Sequence, residues 1–192
     1  MNTKKQTATQ HLFTNKQLRT LLVPIMVEQL LSSLMGTADT MMVSNVGSAA
    51  ISAVSLVDAI NILVIQALSA LAAGGAILCS QYLGSQSLKK AKRSAEQVLF
   101  VMLVLSCSLS LLCLIFRFPL LRLIFGTVDT DVMANSQIYF FFTLLSFPFI
   151  GLYDAGASIL RAQNNTKGPM TISILSNFLN IGGNAILIFV FG

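Results

Sequence analysis

Long apolar runs constrain the fold of this chain more than any other feature of its sequence. A hydrocarbon core about 30 Å thick needs about 20 apolar residues per helix, and lipid offers no partner to an unpaired backbone group. The sequence therefore predicts an all-α, polytopic membrane helix bundle over residues 20–192, with about five transmembrane helices. The predicted spans are about 21–44, 55–82, 98–118, 139–160 and 170–191.

Charged residues are scarce, and their positions predict an orientation. Only 10% of the residues are charged, against roughly 25% in soluble domains, which excludes a soluble fold. Most of the Lys and Arg residues lie in the segments 1–19, 89–93 and 161–167. The positive-inside rule makes these segments cytoplasmic, so residues 1–19 are predicted to be a basic cytoplasmic tail of a multi-pass protein in the cytoplasmic membrane. The stretch LKKAKRSAEQ, 88–97, is expected to be a loop against anionic lipid headgroups and not a nucleic-acid site.

Polar side chains in the first apolar run are candidate functional residues. An ionisable group near the bilayer centre costs roughly 2.5–3.5 kcal/mol, so the two carboxylates of this run need an explanation. Such a polar stripe is expected to face a cavity, and the alternative is that the carboxylates cap the helix or snorkel near its two ends. At 100° per residue, four side chains share an arc of about 60°: Glu28, Ser32, Met35 and Asp39.

The last apolar run carries a similar stripe of neutral groups. Three carboxamides on one face are costly to bury without partners. Their carbonyl oxygens can coordinate a cation beside a carboxylate, or the amides can form hydrogen bonds between helices as structural contacts, and the pattern leaves both interpretations open. The stripe consists of Ser173, Asn177, Asn180 and Asn184.

The second and fourth runs contribute further polar residues. Tyr139 and Gln66 are candidate cavity-lining residues. Asp58 lies near the predicted outer end of its span and is expected to be an interfacial residue. Asp154 lies seven residues before Arg161, two helical turns away. These two residues are therefore predicted to form an ion pair at the cytoplasmic end of the fourth helix.

Four segments carry a further signal through their order and spacing. They are PIMVEQLLSSLMGTADTMMVS (24–44), AAGGAILCSQYLGSQSLKKAKRSA (72–95), LRAQNNTKGPM (160–170) and SNFLNIGGNAILIF (176–189). Together they resemble the N-terminal lobe of the multidrug and toxic compound extrusion (MATE) family of secondary transporters. The resemblance covers about residue 15 to the end of the chain. Because members of that family have about twelve spans, it implies an incomplete N-terminal lobe that requires a second lobe or a partner chain.

The resemblance also implies a coupling site. Asp39 matches the key carboxylate of the family's first helix, and Asn180 and Asn184 match the polar positions of its fifth span, the second of which is Asp in some members. Together these residues are expected to bind H⁺ or Na⁺, with Glu28 as a further coupling residue and no other cofactor. The implied function is cation-coupled antiport that exports drugs or amphipathic organic cations across the cytoplasmic membrane.

Two other functions stay open at this point. A lipid-linked saccharide flippase of the related superfamily should line its cavity with cationic groups, whereas the intramembrane charges singled out here are acidic. A nonfunctional, truncated membrane remnant is the third possibility. An enzyme is not expected, because the sequence shows no nucleophile with a base, no metal-ligand cluster and no phosphate-binding loop.

Overall fold

The computed structural model describes residues 14–44 and 47–190, and all regular structure in these ranges is helical. This confirms the predicted all-α class. Four of the helices, α1, α2, α3 and α5, are long and apolar enough to cross a membrane by length and composition. The helices are α1 (Asn15–Val43), α2 (Ser48–Gly84), α3 (Leu88–Ile115), α4 (Arg117–Phe125), α5 (Thr130–Ala162) and α6 (Lys167–Val190).

The ends of the helices follow local chemistry. At the start of α1, the Thr14 backbone N–H donates a hydrogen bond to Gln17 Oε1 at 2.9 Å, which supplies a partner to a backbone group that the helix itself cannot satisfy. α4 ends at Phe125, and it is followed by Gly126, whose φ of 61° lies in the left-handed region that glycine adopts without strain. Pro169 lies in the first turn of α6, where a backbone N–H would have no partner within the helix.

The helices extend beyond the predicted spans. Residues 88–97, predicted as a loop, form the first turns of α3, and α4 lies mostly between the third and fourth predicted spans. α1 already begins at Asn15, inside the predicted tail, whose residues 1–13 lie outside the described part of the chain. The reason is that hydropathy reports where a helix leaves the hydrocarbon, whereas the backbone hydrogen bonds continue into the polar layer.

Helices α2, α3 and α5 pack on one another most extensively and form the core of the protein. Large side chains such as Met102, Phe140 and Phe147 are almost completely buried there. The backbones of α3 and α5 come close together: Ser110 Oγ donates a hydrogen bond to the Leu144 carbonyl oxygen at 2.6 Å. A Cβ built on Gly151 of α5 would lie 2.9 Å from the Cβ of a serine on α3. Small residues therefore permit the close approach of these two helices.

Helices α1 and α6 form a pair that stands beside this core. α1 packs mainly on α6, and the pair contacts α2 and α5 only over short stretches. Large apolar side chains point away from the bundle, among them Leu63, Phe149 and Phe178, each more than 70% exposed. These surfaces suit lipid and not water, as expected of a multi-pass membrane protein. We call the interface between the α1/α6 pair and α2/α5 the polar seam, because polar side chains line it.

Candidate functional site

The structure brings three polar side chains together where α1 contacts α6. They are Asp39, Asn180 and Asn184, which we call the Asp39 group. Asn184 Nδ2 donates hydrogen bonds to Asp39 Oδ1 at 2.8 Å and to Asn180 Oδ1 at 3.0 Å. The two asparagines are four residues apart and therefore neighbours on one face of α6. All three side chains are partly buried. The structure thus brings together a carboxylate and two amides that the sequence had assigned to one site.

A second carboxylate faces this group from the core side of the polar seam. Asp58 Oδ1 accepts hydrogen bonds from Tyr139 Oη at 3.0 Å and from Asn61 Nδ2 at 3.2 Å. Asp58 lies close enough to Asp39 for their charges to interact, and Tyr139 interacts with both carboxylates. Asp58 therefore has hydrogen-bond donors on both α2 and α5. Asn61 was not among the site candidates, although its i, i+3 spacing from Asp58 is the signal that could have identified it.

Glu28 belongs to another cluster, nearer the end of the bundle that carries the α5–α6 connection. Its Oε1 accepts hydrogen bonds from Arg161 Nη2 at 2.7 Å and from Tyr153 Oη at 3.1 Å. The expected pairing of Asp154 with Arg161 is corrected: Arg161 forms its ion pair with Glu28, and Asp154 Oδ2 instead accepts a hydrogen bond from Ser69 Oγ at 2.5 Å. Two turns of helix separate Asp154 from Arg161 by about 10 Å along the axis, whereas α1 brings Glu28 directly opposite.

The two clusters are separate along α1. Glu28 and Asp39 are eleven positions apart in the sequence, which is about 16 Å of helix at 1.5 Å per residue. One small cation cannot contact both carboxylates. A role of Glu28 in cation coupling therefore stays a proposal. In such a role, Glu28 would act without contacting the cation bound at Asp39.

The remaining candidates occupy varied positions. Ser173 and Asn177 are buried on α6, and Asn177 Nδ2 has no hydrogen-bond partner among the described residues. Met35 is half-buried on α1. Ser32 is exposed, and its hydroxyl donates to the backbone carbonyl one turn earlier in its own helix at 3.0 Å. Gln66 is exposed on α2. The structure therefore does not join Ser32 or Gln66 to the Asp39 group.

The sequence model of the MatE family matches residues 24–186, which is most of the chain. The chain belongs to the MatE family. It is 32% identical over 167 residues to YisQ, an uncharacterized transporter of Bacillus subtilis, a match that covers 86% of this chain and 36% of that protein. It is also 27% identical over 155 residues to the FAD transporter of Shewanella oneidensis, covering 81% of this chain and 34% of that protein. This MatE chain thus spans about a third of the length of these curated relatives.

Solved structures support the same fold. A MATE protein in complex with MaD3S is 22% identical and superposes with a TM-score of 0.86, covering 92% of this chain and 39% of that one. A MOP superfamily transporter from Pyrococcus furiosus is 24% identical, with a TM-score of 0.85 and the same coverage. The six helices correspond to part of the N-terminal lobe of a MATE transporter. Both curated relatives are named as transporters.

Proposed function

We propose that this MatE chain is the N-terminal part of a cation-coupled antiporter that exports drugs or amphipathic organic cations across the cytoplasmic membrane, with its N-terminus in the cytoplasm. The observation that carries the proposal is the hydrogen-bonded contact between Asp39 of α1 and Asn184 of α6. It places an anionic group in contact with a side-chain amide, which in turn contacts a second amide, inside a lipid-facing bundle. Ionisable groups in membrane helices are rare and mark ion pathways and proton relays.

The chemistry of the Asp39 group suits a small cation. Carboxylate and amide oxygens are the ligands that hard cations prefer, and a proton can neutralise the carboxylate equally well. In the described arrangement the amide of Asn184 donates to Asp39 Oδ1. Rotation of that amide would turn its oxygen toward an arriving Na⁺. A cationic substrate that needs the same negative charge would compete with H⁺ or Na⁺, and this competition would couple the two flows.

The position of the Asp39 group supports antiport by alternating access. The α1/α6 pair touches the core only over short stretches, so the pair that holds this group can move relative to the core. In secondary transporters the site lies between two bundles that rock against each other. Because the chain spans about a third of its curated relatives, we propose that a second lobe or a partner chain completes the transport path.

The test is efflux by the complete transporter with Asp39→Asn. Cells that express it should lose the export of a fluorescent organic cation, while the amount of protein in the membrane stays unchanged. Asp129→Asn is the matched control, because Asp129 is an exposed residue before α5 and the same chemical change there should leave efflux intact. Undiminished efflux in Asp39→Asn would remove this carboxylate from the mechanism and refute the proposal.

The same assay separates the other functions. A flippase for lipid-linked saccharides needs unpaired cationic groups for a pyrophosphate, yet Arg161 is already neutralised by Glu28 at 2.7 Å. One relative is a FAD transporter, so FAD is included as an anionic test substrate. Export of FAD without export of cations would replace the substrate class proposed here. Absence of transport by this chain, with no second lobe or partner chain to complete it, would favour the truncated remnant.

A further inference from the structure

We infer that Asp58 and Asn61 of α2 complete the cation site of the Asp39 group from the opposite side of the polar seam. Asp58 is its second carboxylate, and Asn61 is a neutral oxygen ligand. This inference rests on the proposed function and adds to it: the coupling ion lies between the α1/α6 pair and the core, and not within the pair alone.

The first argument is the fixed position of Asp58. Its Oδ1 accepts hydrogen bonds from Tyr139 on α5 at 3.0 Å and from Asn61 on its own helix at 3.2 Å. Two donors from two helices hold the carboxylate in one orientation. Both contacts are to Oδ1, so Oδ2 is the oxygen that would contact a cation. An ordered carboxylate of this kind binds an ion with little loss of conformational entropy.

The second argument is uncompensated negative charge. The charges of Asp39 and Asp58 are close enough to interact. In the described part of the chain, the ion pairs are Lys92–Glu96 and Arg161–Glu28, so neither aspartate has a basic partner there. Two like charges near each other in a membrane bundle repel strongly because the dielectric constant is low. A cation between them would remove this repulsion, and no such need exists at Glu28, which already has its arginine.

The third argument is independent of charge and comes from Asn61. Its side chain is only 7% exposed, and its Oδ1 is buried with no hydrogen-bond partner among the described residues. The Nδ2 of the same amide donates to Asp58, so this unpaired carbonyl oxygen belongs to an amide that contacts that carboxylate. A buried carbonyl without a partner is unfavourable, and binding a hard cation would satisfy it. The unpaired oxygen thus points to a ligand at this place.

The experiment measures binding of ²²Na⁺ and uptake of protons by the purified complete transporter in lipid nanodiscs. For the ion that the wild type takes up, Asp58→Asn should weaken binding by about tenfold or more. Asn61→Ala should weaken the binding of that ion by a smaller factor, because it removes a neutral ligand and not a charge. Asp39→Asn should abolish binding, and Asp129→Asn should leave it unchanged. The double variant Asp58→Asn with Asn184→Asp moves the second carboxylate from α2 to α6 and should restore most of the affinity.

The outcomes separate this inference from the proposed function. Loss of binding in Asp39→Asn with unchanged affinity in Asp58→Asn would overturn the inference and leave the function standing. Unchanged binding in both variants would refute the cation site itself. Recovery in the double variant shows that the single Asp58 variant had lost a charge and not its fold. Failure to recover in a double variant that melts at the wild-type temperature would count against the inference.

Discussion

The ion pair between Glu28 and Arg161 allows a quantitative prediction, because its two members are buried to different extents. The side chain of Glu28 is only 10% exposed, whereas that of Arg161 is 35% exposed. Removing one member of a buried ion pair typically costs about 3–5 kcal/mol, because the other charge is left without compensation. The cost therefore depends on which charge is left behind.

Loss of the arginine should be the more damaging change. Arg161→Gln leaves the buried Glu28 carboxylate with Tyr153 as its remaining donor from the cluster, and one Glu28 oxygen, Oε2, already lacks a partner among the described residues. We expect a loss of about 3 kcal/mol in the free energy of unfolding. Glu28→Gln keeps an oxygen that can accept from the same donors, and Arg161 retains the nearby charge of Asp154. We expect a loss of about 1–2 kcal/mol for that variant.

The assay is equilibrium unfolding of the complete transporter by sodium dodecyl sulfate in mixed micelles, followed by circular dichroism. The double variant should cost less than the sum of the single variants by about 1 kcal/mol or more, which is the coupling expected of residues in direct contact. If Glu28→Gln destabilises the protein more than Arg161→Gln does, or if the two effects simply add, the reasoning from unequal burial is wrong.

Two further predictions use the same unfolding assay with matched controls. Gly151→Ala should lower the free energy of unfolding by about 1–3 kcal/mol, because the new methyl group would collide with α3. The control Gly156→Ala in the same helix meets no atom within 4 Å and should be neutral or slightly stabilising. Equal effects of the two variants would contradict the close approach of α3 and α5. Ser69→Ala should lower the free energy of unfolding by about 1.5–3 kcal/mol, because it removes the donor to Asp154. The hydroxyl of Ser80 donates within its own helix, so the control Ser80→Ala should change stability by less than about 0.5 kcal/mol. A neutral Ser69→Ala variant would show that the contact with Asp154 contributes nothing to stability.

The sequence predicts the helical class and which polar residues share a face, but not which helices meet. The 3.6-residue period places Asn180 and Asn184 on one stripe of α6, and the family resemblance joins them to Asp39, a grouping that the structure contains. The partner of Arg161 could not be predicted in the same way. It depends on the rotation and tilt of α1 against α5, which arise from packing over the whole bundle, so a pairing along one helix was expected in place of the observed contact with Glu28.

The polar seam has a consequence for how the two parts of the bundle can separate. Where apolar side chains interlock, lipid tails can replace lost contacts, but a hydroxyl, amide or carboxylate exposed to hydrocarbon finds no substitute. Parting α1 from α5 would leave Glu28 and Tyr153 in that condition, since α1 and α5 are joined there by hydrogen bonds. Each opening therefore requires that water, an ion or a solute enter as the helices part. Entry of that molecule or ion and movement of the helices then become a single event.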